Sequence, residues 1–213
     1  GNINEKVTIK NGGQIKFGTT SIGWDEKTGF GSIIENSFLE NVDVYGSLPV
    51  KICNNCFESC WVAGESLLLL DNNATNTLFE SNDFAVLSNN TLNQLDVIGS
   101  PTVTDNTIFE INVYDGSAII SNNIVSKINL FGGSPEIIHN TVENITGSDG
   151  YPVISDNTIG EIGCFTHFPE EDIEYLQVFS ANITNNHVQR GIFLSCRFPS
   201  IIANNTIFGI TYS

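Results

Sequence analysis

Positive charge is what this chain has least of. Of its 213 residues, 8 are lysine or arginine against 24 aspartate or glutamate, a formal charge of −16 at pH 7, and the arginines are Arg190 and Arg197 alone. Without a basic stripe to neutralise phosphates, nucleic acid and anionic lipid surfaces make poor partners. Long apolar runs are missing too. The nearest is Leu67 to Leu70, far short of the roughly 20 apolar residues that span a bilayer, so membrane insertion is not expected. Neither a signal-peptide pattern nor an initiating methionine opens the chain at Gly1, which reads as a processed or excised protein. Hydrophobic residues nevertheless make up 40% of the sequence, enough for a substantial core.

What the chain has in quantity is repetition. Aligned on an asparagine that precedes a Thr-Ile-like pair, the anchors are Asn36, Asn55, Asn73, Asn90, Asn106, Asn123, Asn140, Asn157, Asn186 and Asn205. Their spacings run from 16 to 19 residues, with one interval of 29. Three positions before each anchor stand Ile33, Ile52, Leu70, Leu87, Val103, Ile120, Ile137, Ile154, Ile183 and Ile202, aliphatic every time. Aliphatic residues recur two and five positions after the anchor, as in Ile108 and Ile111 or Ile159 and Ile162. Short β-branched runs without a 3.6-residue period are strands, and each repeat is too short for a strand-helix-strand unit. Gly99-Ser100-Pro101, Gly133-Ser134-Pro135 and Gly150-Tyr151-Pro152 recur in one phase, where glycine supplies positive φ and proline fixes the exit from a corner.

Two or three short strands, an asparagine corner and a glycine corner in about 17 residues describe one coil of a parallel β-helix. The expected fold is therefore all-β, a solenoid of about ten to eleven short coils. The pattern [IV]-x-[ND]-N-T-[IV]-x-x-I over residues 33 to 212 resembles the repeat of the right-handed, pectate-lyase-like superfamily of parallel β-helix proteins. That resemblance implies a right-handed coil. It also implies a group that includes polysaccharide lyases and hydrolases, phage tailspikes and surface proteins.

An inward asparagine at a corner can donate to one neighbouring coil and accept from the other, so the anchors are expected to form a ladder. Five asparagines also fit the N-x-[ST] acceptor pattern. Asn73, Asn89 and Asn204 lie in or beside the expected ladder, which leaves Asn144 and Asn182 as the reasonable glycosylation acceptors. Thr91, Thr107, Thr141, Thr158 and Thr206 are expected to form an outward row. Ile124 and His187 interrupt it, and no second threonine row runs parallel, so the row does not read as an ice-binding face.

The 29-residue interval holds an insertion at 163–182 that departs from the repeat. It combines Phe165, His167, Phe168, Glu170, Glu171, Asp172, Glu174 and Tyr175. Loops on a rigid coil often carry function. Here the aromatics would stack on sugar faces, and the carboxylates would accept from hydroxyls or hold Ca²⁺, the one cofactor in view. The alternative is a solvated acidic bulge. Tyr114 and Phe131, each eight residues after an anchor, fall in register on adjacent coils with Tyr151 one coil further on. They form either a sugar platform or an internal aromatic stack, the reading that ordinary core packing favours.

Cys53, Cys56 and Cys60 look at first like metal ligands, but Cys60 falls in the core phase and no further ligand follows at finger spacing. Small buried hydrophobes are the simpler role. Cys164 and Cys196 flank the insertion and are candidates for a disulfide.

Polysaccharide chemistry needs a lysine or arginine base beside carboxylates, or two or three close carboxylates. Two arginines and six lysines are a thin supply, the Gly-His-Gly with adjacent aspartates of the hydrolases is absent, and acidic polysaccharides would be repelled. Residues 1–32 read as an irregular first coil or partial cap and 33–213 as the β-helix. The chain stops soon after Ile210, which reads as an uncapped end suited to end-to-end or lateral packing of copies. The expected function is thus an extracellular or cell-surface module, non-catalytic, whose partner is carbohydrate or another copy of the protein. A polysaccharide lyase or glycoside hydrolase is the alternative.

Overall fold

The computed structural model describes residues 8–9, 14–22, 32–35, 38–46, 50–147, 150–163, 180–193 and 199–208. They form twenty parallel-paired strands in a single wound sheet, with no helix among the described residues. The molecule is a parallel β-solenoid. Its described coils make about seven full turns rather than ten to eleven. The last repeat contributes only Ile201–Ala203 and Thr206–Ile207. Before Val50, Thr8–Ile9 pairs with the strand at Ser32–Glu35, and Gln14–Ile22 with that at Phe38–Gly46.

Each coil has three walls, and side-chain alternation shows where the bends fall. In the strand Thr107–Asp115 the inward residues are Ile108, Ile111 and Val113. The step of three between the first two marks a corner at Phe109. Pairing to the next coil skips that position, running Ile108 to Val125 and then Glu110 to Lys127. The first wall is a three-residue strand such as Ile119–Ser121 or Val153–Ser155. Between first and second walls lies the asparagine corner; between third and first lies the glycine corner. Gly133 has φ 75°, and a Cβ there would sit 2.3 Å from the Gly116 carbonyl oxygen, so the close approach of successive corners requires glycine.

Inward columns from all three walls fill the interior, among them Val62, Phe79, Val97, Val113 and Leu130 toward the end of the third wall. Leu69, Leu87, Val103, Ile120, Ile137, Ile154 and Ile183 line the first wall, Phe57 to Val188 the second, and Cys60, Leu95, Ile111, Ile128, Ile145 and Ile162 the third, all buried. Each fully buried aliphatic side chain contributes about 1.5–3 kcal/mol through the area it removes from water. Cys53 and Cys60 are buried and Cys56 is exposed, in keeping with Cys60 as a core residue. Cys164 and Cys196 lie outside the described residues.

The asparagine ladder is present from Asn55 to Asn205. Each Oδ1 accepts both the main-chain N–H and the Nδ2 of the preceding anchor, as between Asn106 and Asn123 at 2.9 and 2.9 Å. One anchor, and the strand register of the first coil, fall one residue from where the repeat alignment places them. Asn72, not Asn73, is the buried rung, accepting from Asn55 and donating to Asn90. Asn73 is exposed and pairs with Thr91 in the outward row. The core positions of that coil are accordingly Leu69, Ala74 and Thr77 rather than Leu70, Thr75 and Leu78. In the first coil Ile34, not Ile33, pairs with Ile52, and Leu39, not Phe38, with Phe57.

Immediately before the rungs Asn54, Asp71, Asn89, Asp105, Asn122, His139, Asp156, Asn185 and Asn204 all have φ of 55–58°. This is the left-handed region, which asparagine and aspartate tolerate best among residues with a side chain. The recurring [ND]-N dipeptide is thus two separate requirements, a left-handed corner followed by a ladder rung.

Candidate functional site

A groove of about 780 Å³ runs along the solenoid over the second wall and its bend to the third. Its lining comes from seven successive coils, from Asn73 to Arg190, a length of about 29 Å at ~4.8 Å per coil. One side is the outward row Thr91, Thr107, Ile124, Thr141, Thr158, each paired to the next in register and each exposed. The other is the corner position three residues after each anchor, occupied by Thr75, Asn93, Phe109, Ser126, Glu143 and Gly160. Threonine therefore does more than coat the outside here: its hydroxyls border a concave surface.

The lining is almost wholly uncharged. Its two charged residues, Glu143 and Arg190, lie 3.6 Å apart, with side chains 61% and 55% exposed, a solvent-screened pair worth about 0.2–1 kcal/mol. Gly160 lies between them. A Cβ there would be 2.3 Å from the Glu143 carbonyl oxygen and 3.3 Å from Arg190 Nη2, so glycine makes room for the coil below and for the guanidinium.

The third wall carries a second polar column, at six residues after the anchor, which the repeat alignment did not reveal. Thr146 Oγ1 donates to Asn129 Oδ1, Asn129 Nδ2 to Asn112 Oδ1, and Asn112 Nδ2 to Asp96 Oδ1, each at 2.7 Å. Donors point toward earlier coils here and toward later coils in the corner ladder, so the two ladders have opposite polarity. Asn129 also donates to Glu110, which Lys127 approaches to 3.7 Å.

Beside this column Tyr114 and Phe131 stack with centroids 5.1 Å apart and planes 14° apart. The stack is not internal: the residues are 44% and 48% exposed, because the inward positions immediately before them belong to Val113 and Leu130. Tyr151 does not extend it. Its N–H donates to the Gly133 carbonyl, which places it beside Ser134, three residues round the coil from Phe131. Burial first, and then the charges of Asp96 and Glu110, hold the Tyr114 phenol above its ordinary pKa.

Phe165, His167, Phe168, Glu170, Glu171, Asp172, Glu174 and Tyr175 lie outside the described residues. Among the described residues no cluster of three or more His, Cys, Asp or Glu side chains is arranged to hold a metal ion, and no helix is long and apolar enough to cross a membrane. Of the N-x-[ST] asparagines, Asn73, Asn89 and Asn204 prove exposed rather than packed into the ladder, Asn144 is half-buried, and Asn182 has a buried side-chain oxygen. Compared with protein-family models, curated proteins and solved structures, the chain matches none.

Proposed function

We propose that this chain is an extracellular or cell-surface β-helix module, pectate-lyase-like and right-handed in its coil, that binds neutral polysaccharide in the groove without acting on it. The observation that carries the reading is the contrast between the groove and its surroundings. A protein of formal charge −16 presents one long concave surface lined by apolar side chains together with threonine, asparagine, serine and glutamine, and by a single ion pair. Hydroxyl and amide groups at a repeat of ~4.8 Å match a linear ligand that is itself a chain of hydroxyl groups, while the net charge repels polyanions.

Two further features support a binding role over catalysis. Acid–base cleavage of a glycosidic bond takes a pair of carboxylates, and the lining offers Glu143, with Arg190 beside it. The solenoid is also rigidly cross-linked by its ladders, which suits display or adhesion, and packing of copies would array parallel grooves. The test is a panel of immobilised neutral and acidic glycans, with parallel assays for released reducing and unsaturated ends. Retention on neutral glycans without release supports the proposal. Release of either kind of end would replace it with a polysaccharide-acting enzyme, and no retention on any glycan would end it.

A further inference from the structure

The repeat itself supplies a control for reading the groove, because equivalent positions in other coils show what the fold requires. Three residues after the anchor stand Thr75, Asn93, Ser126, Glu143, Gly160 and Gln189, all small or polar; along the groove one coil breaks the rule with Phe109, and beyond the groove the last coil does so with Phe208. One residue after the anchor stand Asn73, Thr91, Thr107, Thr141, Thr158, His187 and Thr206; along the groove one coil breaks that rule with Ile124, and before the groove the column holds Phe38 and Cys56. Neighbouring coils hold their register without either apolar side chain, so neither is a demand of the solenoid.

Both are also costly where they stand. Phe109 is 60% and Ile124 61% exposed, and among the described large apolar side chains only Phe208, in the last coil, exceeds Ile124. Isolated exposed apolar residues are ordinary on protein surfaces. These two occupy opposite sides of one groove on consecutive coils, near the middle of its length, and each replaces a polar residue of the repeat. We infer that Phe109 and Ile124 form the central subsite of the groove, where the C–H face of a pyranose ring of a neutral glycan packs on Phe109 against Ile124. The hydroxyls of Thr107 and Thr141, flanking Ile124 in the row, accept from and donate to the ring's edge.

This inference rests on the glycan reading of the groove, and one experiment separates their failures. Phe109→Ser and Ile124→Thr restore residue types that other coils carry at the same positions, so both variants keep the fold, as circular dichroism and an unchanged unfolding midpoint would verify. Phe131→Ser on the third wall serves as control. Binding of cello-, xylo- and manno-oligosaccharides is measured by calorimetry for each variant. The expected result is that Phe109→Ser weakens the best-bound series about tenfold, as the loss of one aromatic packing contact implies. Ile124→Thr weakens it less, and Phe131→Ser leaves it unchanged. Equal binding by the wild-type protein and both groove variants overturns the subsite and leaves the glycan reading standing. Failure of the wild-type protein to bind any of the three series overturns both.

Discussion

Asn157 Oδ1 accepts two hydrogen bonds from Asn140, from its main-chain N–H at 2.8 Å and from its Nδ2 at 3.1 Å. Asn157 Nδ2 in turn donates to the carbonyls of Ile137 and Ser155 and to Asn186. One buried amide thus serves three coils. Asn157→Ala leaves the Asn140 N–H buried without a partner, at about 1–3 kcal/mol, and removes the three bonds that Asn157 Nδ2 donates, each about 0.5–1.5 kcal/mol. The expected loss is about 3 kcal/mol or more in urea unfolding. Thr158→Ala, on the exposed neighbour, should stay within ~0.5 kcal/mol.

Among the described residues before the ladder rungs, His139 is the one in the left-handed region that is neither asparagine nor aspartate, at φ 56°. Its imidazole gains nothing from that conformation that a short amide would lack. His139→Asn should raise stability by up to ~1 kcal/mol, read as a higher thermal midpoint with unchanged spectrum. A lower midpoint would show that the imidazole holds a contact the corner depends on.

Gly133→Ala meets two obstacles together: a φ of 75° and a Cβ 2.3 Å from the Gly116 carbonyl oxygen. Because the obstructing atom is backbone of the previous coil, it has little freedom to move. The variant should lose well over ~1 kcal/mol and unfold at clearly lower urea concentration.

The raised phenol of Tyr114 sets the high-pH behaviour. A tyrosine whose folded pKa exceeds its unfolded one contributes stability that is fully present below the unfolded pKa. That contribution is lost as pH rises through the folded pKa, so the fold should weaken above about pH 10. Ultraviolet titration should find this tyrosinate forming late. Phe131→Ala, which uncovers the ring, and Asp96→Asn, which removes the larger of the two charge effects, should each bring its formation to lower pH.

The repeat made the fold legible because a parallel stack asks the same thing of every coil. An inward aliphatic, a rung and a glycine corner must recur at fixed phase, and Ile154, Asn157 and Ile159 show all that is needed. Register slipped where the sequence is locally degenerate. Leu67 to Leu70 followed by Asp71-Asn72-Asn73 offers two adjacent alignments that are equally aliphatic and equally amide-rich. The structure chooses the one in which Asp71 takes the left-handed corner. The outward aromatic stack was half legible. Tyr114 and Phe131 share a phase, but only the bend at Phe109 decides which phase faces the solvent. The groove was not legible, since concavity arises from the angle between two walls and its corner residues differ from coil to coil. The signal that was available lay in Phe109 and Ile124, the two apolar departures from the polar columns along the groove.

The most direct measurement of the central claim is the dependence of affinity on ligand length. Calorimetric titration with neutral oligosaccharides of increasing size should show affinity rising unit by unit and levelling off once the chain fills the groove, about 29 Å at ~4.8 Å per coil. Affinity that does not change with length, or that rises only with added anionic groups, would contradict a neutral glycan lying along the coils.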